Sequence, residues 1–334
     1  MATACLNIDI NKITDNTRKV LAICRQLDLE VVGVTKGVFG MPQVARAMLA
    51  GGIEILGDAR LDNIARMRKF GILAPMVLLR APAPSEVSQC VALADTSLNA
   101  DLEVLRLLSK ESIKMGKRHK VILMVDLDTG REGLAPEAVP GACCKVQAME
   151  GLSFEGLGIY FPYRSEGSFH MPAQQRLVAL AREIEGEYDF KLHVISGGST
   201  NVFHSLTLEG QNVKGINQLR IGTAILLGIS SSIGPVLIKN FHHDTFVLDA
   251  ELIEVKQRDR LYGILSIGRM DTEPEHLFPI SPGVAVIDAS SDHLIVDFTD
   301  SAETYRVGDR IAFQLGYFAL SRLMASPYVR IEYR

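Results

Sequence analysis

The sequence predicts an α/β fold: a closed (β/α)8 barrel of the TIM type, followed by a C-terminal all-β domain. Three observations predict it. Apolar strand-like runs and amphipathic stretches alternate eight times between residues 10 and 235. That span is close to the ~250 residues such barrels occupy. From Thr245 onward the pattern changes to short alternating segments separated by turn signals. The expected division is a barrel domain over 1–238 and a β domain over 239–334.

The elements follow in order. Residues 10–27 read as an amphipathic helix, with Ile13, Val20, Leu21 and Ile23 on its apolar stripe. The strands are expected at 30–35, 53–56, 75–79, 94–98, 121–126, 154–160, 192–196 and 218–222. Helices are expected near 41–51, 60–70, 85–93, 101–116, 136–148, 171–186 and 199–208. The later β segments are expected at 246–255, 262–267, 283–288, 293–298 and 310–314. Turns such as Ser281-Pro282-Gly283 and Val307-Gly308-Asp309 separate them.

Bulk properties narrow the function classes. The 334 residues are 47% hydrophobic and 22% charged, as in an ordinary globular protein. A net charge of −4 leaves no basic footprint for nucleic acid. No apolar run reaches the length of a membrane span. Charged residues among the first twenty, including Asp9, Lys12, Asp15, Arg18 and Lys19, do not fit a secretory signal. The five cysteines, Cys5, Cys24, Cys90, Cys143 and Cys144, form no C-x-x-C pair and suit a reducing cytoplasm. The eight histidines show no metal-ligand spacing, so no metal site is expected.

The chemistry should gather at the carboxyl ends of the barrel strands. Strand 30–35 is followed by Lys36. An amine held there, away from water, tends toward neutrality, which Schiff-base chemistry with a carbonyl requires. A strand-end lysine paired with a carboxylate is the plainer reading. After the seventh strand comes Ser196-Gly197-Gly198-Ser199-Thr200. Glycines let a ligand approach the backbone, and helix-start N–H groups with hydroxyls suit a phosphate. Gly222 and Thr223 after the eighth strand add a second donor pair. A simple helix cap by Ser199 or Thr200 is the alternative. Arg220 lies inside the apolar eighth strand, so it needs a partner: a buried carboxylate or a cofactor.

Together these residues resemble the fold type III pyridoxal-phosphate enzymes, whose type example is the alanine racemase family. Lys36, the Gly-Gly-Ser-Thr turn and Arg220-x-Gly222 carry the resemblance, along with Gly51-Gly52 and Gly57-Asp58-Ala59-Arg60. It extends to Ser290-Ser291-Asp292-His293 and to the ending from Tyr317 through Val329. The run from Asp126 to Gly133 is more similar to ornithine racemase-like members. The resemblance implies a dimeric enzyme that interconverts L- and D-amino acids, with ornithine or another basic or small amino acid as substrate. It implies that Lys36 carries pyridoxal 5′-phosphate and moves the α-proton, and that Arg220 bonds the pyridine nitrogen. Ser199, Thr200, Gly222, Thr223 and Tyr317 would hold the phosphate. Arg131 would face the phenolic oxygen or the substrate carboxylate.

The chain departs from the family in two places. The segment after Lys256 is short, and the tyrosine turn that supplies the opposite-face base is reduced to Tyr262-Gly263. Tyr262 is either that base or strand-edge packing, with Asp292 and His293 as alternatives reaching across a dimer. The histidine that stacks on the cofactor ring after the sixth strand is missing, and Tyr160 or Phe161 stands in its place. A pyridoxal-phosphate carrier, or a lyase or decarboxylase of the same fold, are the rival functions. The lyases' His-x-Cys zinc pair is absent, since no cysteine follows residue 144.

Overall fold

The computed structural model describes residues 3–161, 167–209, 212–230 and 236–334. Within these the chain starts with strand β1 (Ala4–Ile8) and helix α1 (Ile10–Arg25). The alternation that follows builds the barrel, in the order β2 (Glu30–Val34), α2 (Pro42–Ala50), β3 (Ile55–Asp58), α3 (Leu61–Lys69), β4 (Met76–Leu78) and α4 (Val87–Leu93). It continues with β5 (Thr96–Asn99), α5 (Leu102–Lys114), β6 (His119–Val125), α6 (Val139–Gln147), β7 (Leu152–Ile159) and α7 (Gly167–Glu187). It ends with β8 (Val194–Ser199), α8 (Thr200–Glu209), β9 (Gln218–Ile221) and α9 (Thr223–Leu227). Strands β2 to β9 form a closed barrel in which every neighbouring pair is parallel. β9 closes it against β2, with Glu30 beside Gln218 and Gly33 beside Ile221.

The expected α/β architecture is therefore the observed one, and the physical reason is legible. The barrel strands are apolar because both faces are covered. Val32, Val77, Leu98, Ile122 and Met124 form one buried cluster among the strands. Ile55, Leu79, Tyr160 and Val194 pack against it. Helix starts use local chemistry: Pro42 opens α2, and the Asp101 carboxylate accepts from the N–H of Glu103 and Val104 to cap α5.

The remaining strands are β10 (Phe246–Gln257), β11 (Leu261–Leu265), β12 (Leu277–Pro279), β13 (Ala285–Ala289), β14 (Leu294–Asp297), β15 (Arg310–Leu315) and β16 (Arg330–Tyr333), with helix α10 (Tyr317–Leu323) before the last. They form a sheet in the order β12-β15-β10-β11-β14-β13. β1 joins it, pairing antiparallel with β10 and parallel with β16. The sequence pattern marks neither β1, β12 nor β16. Each is short, and the partners of β1 lie about 240 (β10) and about 325 (β16) residues away, distances over which periodicity carries no information.

By compactness the chain divides into two units. One holds Thr17–Lys36 and Gly40–Gly222; the other holds the remaining described residues. No helix among the described residues is long and apolar enough to cross a membrane.

Candidate active site

The first unit brings Lys36, Arg131, Tyr160, Ser199, Thr200, Arg220 and Gly222 to the carboxyl ends of the barrel strands. Lys36 directly follows β2 and opens a 3-10 turn over Lys36–Val38. The strand end behind it is fixed. The Thr35 N–H donates to Gly57 O at 2.9 Å, and the Thr35 hydroxyl donates to Asp58 Oδ2 at 2.8 Å. Gly222 lies beside β2, since a Cβ there would stand 3.1 Å from both the Val34 Cβ and its carbonyl oxygen.

Burial pushes the Lys36 amine below its ordinary value, and the Arg131 and Arg220 guanidiniums push it in the same direction. Asp58 and Glu132 oppose them. No ion pair within 4 Å is found for Lys36 among the described residues. The carboxylate-paired alternative from the sequence is therefore not what the structure shows.

Arg220 is 8% exposed, on β9. Its guanidinium donates to the Ser196 hydroxyl and, at 2.5 Å, to the Ile159 carbonyl. Burial pulls it down to about 10, which still leaves it charged at neutral pH. Both partners are neutral, so this buried cation has no carboxylate in contact among the described residues. A buried guanidinium held by neutral acceptors keeps further N–H groups to offer a ligand.

Next to Arg220 in register is Ser199, the last residue of β8. Thr200, 5% exposed, opens α8. The Gly197-Gly198 pair between these and Ser196 has a structural requirement. Gly198 sits at φ +125°, and a Cβ there would stand 2.8 Å from Phe161 and Val202. The buried Gln174 side chain donates to Gly197 O at 2.7 Å, holding the turn from α7.

The segment after β6 is pinned at both ends. The Asp126 carboxylate accepts from the Thr129 N–H at 2.8 Å and its hydroxyl at 2.7 Å, which lowers its own pKa. The Asp126 N–H donates to Leu134 O and the Leu134 N–H to Met124 O. Arg131 is presented from this loop with its guanidinium 3.0 Å above the Tyr160 ring centroid and ion-paired to Glu132. Tyr160 is half-buried, whereas Phe161 is 2% exposed and packs on His170. Of the two aromatics considered for the missing histidine, Phe161 is core and Tyr160 faces the loop.

The other unit carries Thr223, Tyr262, Asp292 and Tyr317. Thr223 is buried at the start of α9. Tyr317 opens α10, and its ring edge lies 2.8 Å from where a Cβ on Gly37 would be, which explains the glycine there. Tyr262 is the second residue of β11, beside Lys256 of β10 and Asp297 of β14. The shortened segment is a tight hairpin turn at 258–260, closed by the Arg258 N–H to Arg260 O at 3.1 Å. Asp292 is exposed in the turn between β13 and β14. That turn rests on segment 268–270 through the Arg269 and Met270 N–H groups.

Sequence reasoning missed Asp58, Ser196 and Glu132. Asp58 stands two residues beyond the expected strand end at 56, and Ser196 gains its role only through Arg220 across the sheet. No cluster of three or more metal-ligating side chains exists among the described residues.

A family model for the alanine racemase N-terminal domain matches residues 8–230. The chain is 32% identical to a lysine racemase of Thermotoga maritima, over 98% of both chains. It is 29% identical to an ornithine racemase of Acetoanaerobium sticklandii, again over 98% of both. Among solved structures, alanine racemase from E. faecalis superposes with a TM-score of 0.77 at 19% identity, covering all of this chain and 98% of the other. A D-threonine aldolase from Filomicrobium marinum gives 0.79 at 14%, covering 97% and 91%. At such identities the likeness speaks for the fold alone.

Proposed function

Because the chain belongs to the alanine racemase family, we propose that it interconverts the L and D forms of a basic amino acid, lysine or ornithine. Its cofactor is pyridoxal 5′-phosphate. The observation that carries the reading is the presence, at the same strand ends, of Lys36, an amine pushed toward neutrality, and Arg220, a buried cation bonded among the described residues to neutral acceptors. The substrate class rests on full-length similarity to a lysine racemase and an ornithine racemase.

The residues present fit the cofactor. Arg220 offers buried N–H donors with no anion in contact among the described residues, and the hydroxyl residues Ser199 and Thr200 stand where β8 ends and α8 begins. When bound to an amino acid, the cofactor withdraws electrons from the α-carbon, so that its proton can be removed. Lys36 would anchor the cofactor, and its amine, pushed toward neutrality, would take or return the α-proton on one face. A guanidinium does not give up its proton, so Arg220 would donate to the ring nitrogen without protonating it. That restrains electron withdrawal and favours proton return to the α-carbon. Ser199, Thr200 and Gly222 would hold the phosphate, and Thr223 and Tyr317 are the further donors the family resemblance implies. Arg131, backed by Glu132 and Tyr160, orients the substrate carboxylate or the phenolic oxygen.

Inversion needs a second proton carrier on the opposite face. We assign it to Tyr262, with Asp292 as the alternative, contributed by the β domain (239–334) of a second copy in a homodimer. Five free cysteines, four of them buried, support a cytoplasmic setting.

Chiral chromatography after incubation with pyridoxal phosphate and single enantiomers of lysine, ornithine and alanine tests this. Conversion of lysine or ornithine in both directions is expected, at least tenfold faster than alanine. Configuration unchanged for every amino acid would refute it.

A further inference from the structure

Asp58 is a carboxylate with 0% exposure in a site where no role has been given to it. Its contacts are unusually one-sided. Oδ2 accepts from the Thr35 hydroxyl at 2.8 Å, and Oδ1 accepts from Asn63 Nδ2 at 2.9 Å and from the Arg60 N–H at 3.0 Å. The Asn63 amide nitrogen and the Arg60 N–H can only donate, which favours the ionised carboxylate against the burial that pushes its pKa up. No cation pairs with it within 4 Å among the described residues. A fully buried, unpaired anion is costly to keep, so its environment must use the charge.

Two features tie that charge to Lys36. The first is connectivity: Thr35, itself 0% exposed, is the residue before Lys36. It is held twice to the end of β3, by its N–H to Gly57 O and by its hydroxyl to Asp58. The second is electrostatic balance. The charged groups felt by Lys36 are Arg131 and Glu132 on the loop after β6, Arg220 on β9 and Asp58 on β3. Two cations and burial drive the amine toward neutrality, while a proton-shuttling lysine must also accept a proton. Glu132 is already engaged with Arg131. Asp58 is the fixed anion in the set.

We propose that Asp58 is a positioning residue for Lys36: it clamps the strand end through Thr35 and supplies a buried negative charge that favours proton uptake by the amine. This rests on the assignment of Lys36 as the reacting amine. It does not require that the reaction be racemisation.

The test uses the full-length chain, with Asp58→Asn and Thr35→Val. The pH dependence of Lys36 acylation in the cofactor-free chain, read at the peptide level by mass spectrometry, reports the amine directly. The pH dependence of the bound cofactor's visible absorbance gives a second readout. Removing the anion disfavours the ammonium, so Asp58→Asn is expected to move the Lys36 midpoint down by about one pH unit. Thr35→Val keeps the charge and loses the clamp. It is expected to leave the midpoint in place and to lower kcat roughly tenfold with little change in KM. An Asp58→Asn midpoint equal to the wild type overturns the proposal. Should that variant fail to fold, an unchanged kcat in Thr35→Val overturns it instead. A shifted midpoint in a chain that racemises nothing would leave Asp58 its role and refute the racemase reading. Racemisation with an unshifted midpoint would do the reverse.

Discussion

Burial lowers the pKa of both Lys36 and Arg220, but from different starting points. The amine can shed its proton and is pushed to do so; the guanidinium cannot at neutral pH and stays a donor. On the roles proposed for it, replacing Lys36 with Ala would remove both the cofactor anchor and one proton carrier. A loss of about 10³-fold or more in the exchange rate is expected, measured against the wild-type chain with the same amino acid. Both residues were legible in the sequence, because a charged residue inside or just after an apolar strand is conspicuous. Asp58 was not. The expected strand ended at 56, because apolar Ile53 looks like a strand residue, whereas the strand runs Ile55–Asp58. That two-residue offset places Asp58 outside the strand and hides its bond to Thr35. Ser196 escaped for a related reason: a serine before two glycines reads as part of the turn until Arg220 is seen to donate to it.

The elements around the site show where backbone geometry is decided by glycine. The turn between β8 and α8 requires Gly198 at φ +125°, with Phe161 and Val202 filling the space of a side chain. Gly198→Ala is expected to cost about 2–4 kcal/mol in denaturant unfolding, from strain and overpacking together. Cofactor affinity should fall with it. A different element sets an acid limit on the fold. His119 opens β6, 3% exposed, with its ring nitrogen 2.9 Å from the Ser97 hydroxyl, and burial drops it from 6.5 to about 4. Below pH 6.5 the unfolded chain takes a proton that the folded chain refuses until about pH 4. Stability is therefore lost as pH falls through that window, by about 3 kcal/mol from this residue. An NMR titration of the His119 ring with a midpoint near 6.5 would contradict it. Barrel strands such as β2, β4 and β6 were legible because they are buried and read as apolar runs. Of the β-rich part, the alternating strands were legible. β1, β12 and β16 were not, since strands of three to five residues leave too little pattern to read.

At the scale of the whole molecule, the family and the fold are set by the barrel, while the open question is who supplies the opposite-face base. Tyr262 stands on a strand and Asp292 in an exposed turn, both in the β-rich unit. If a second copy contributes that base, two defective chains should complement each other. Lys36→Ala and Tyr262→Phe homodimers, each inactive alone, would exchange subunits so that half the dimers are mixed. Each mixed dimer carries one intact site of two, so about a quarter of wild-type activity should return on mixing. If Asp292 is the base, the same recovery is expected with Asp292→Asn and not with Tyr262→Phe. No sequence pattern could have chosen between the two, because the choice depends on an assembly contact and not on local structure.

The most direct measurement is to incubate the chain with pyridoxal phosphate and L-lysine in heavy water, following the α-proton by NMR and the configuration by chiral chromatography. The account predicts deuterium at the α-carbon with D-lysine accumulating toward an equal mixture, and neither change with Lys36→Ala. Loss of the α-proton with full retention of the L form would contradict it, and so would an unexchanged α-proton across lysine, ornithine and alanine.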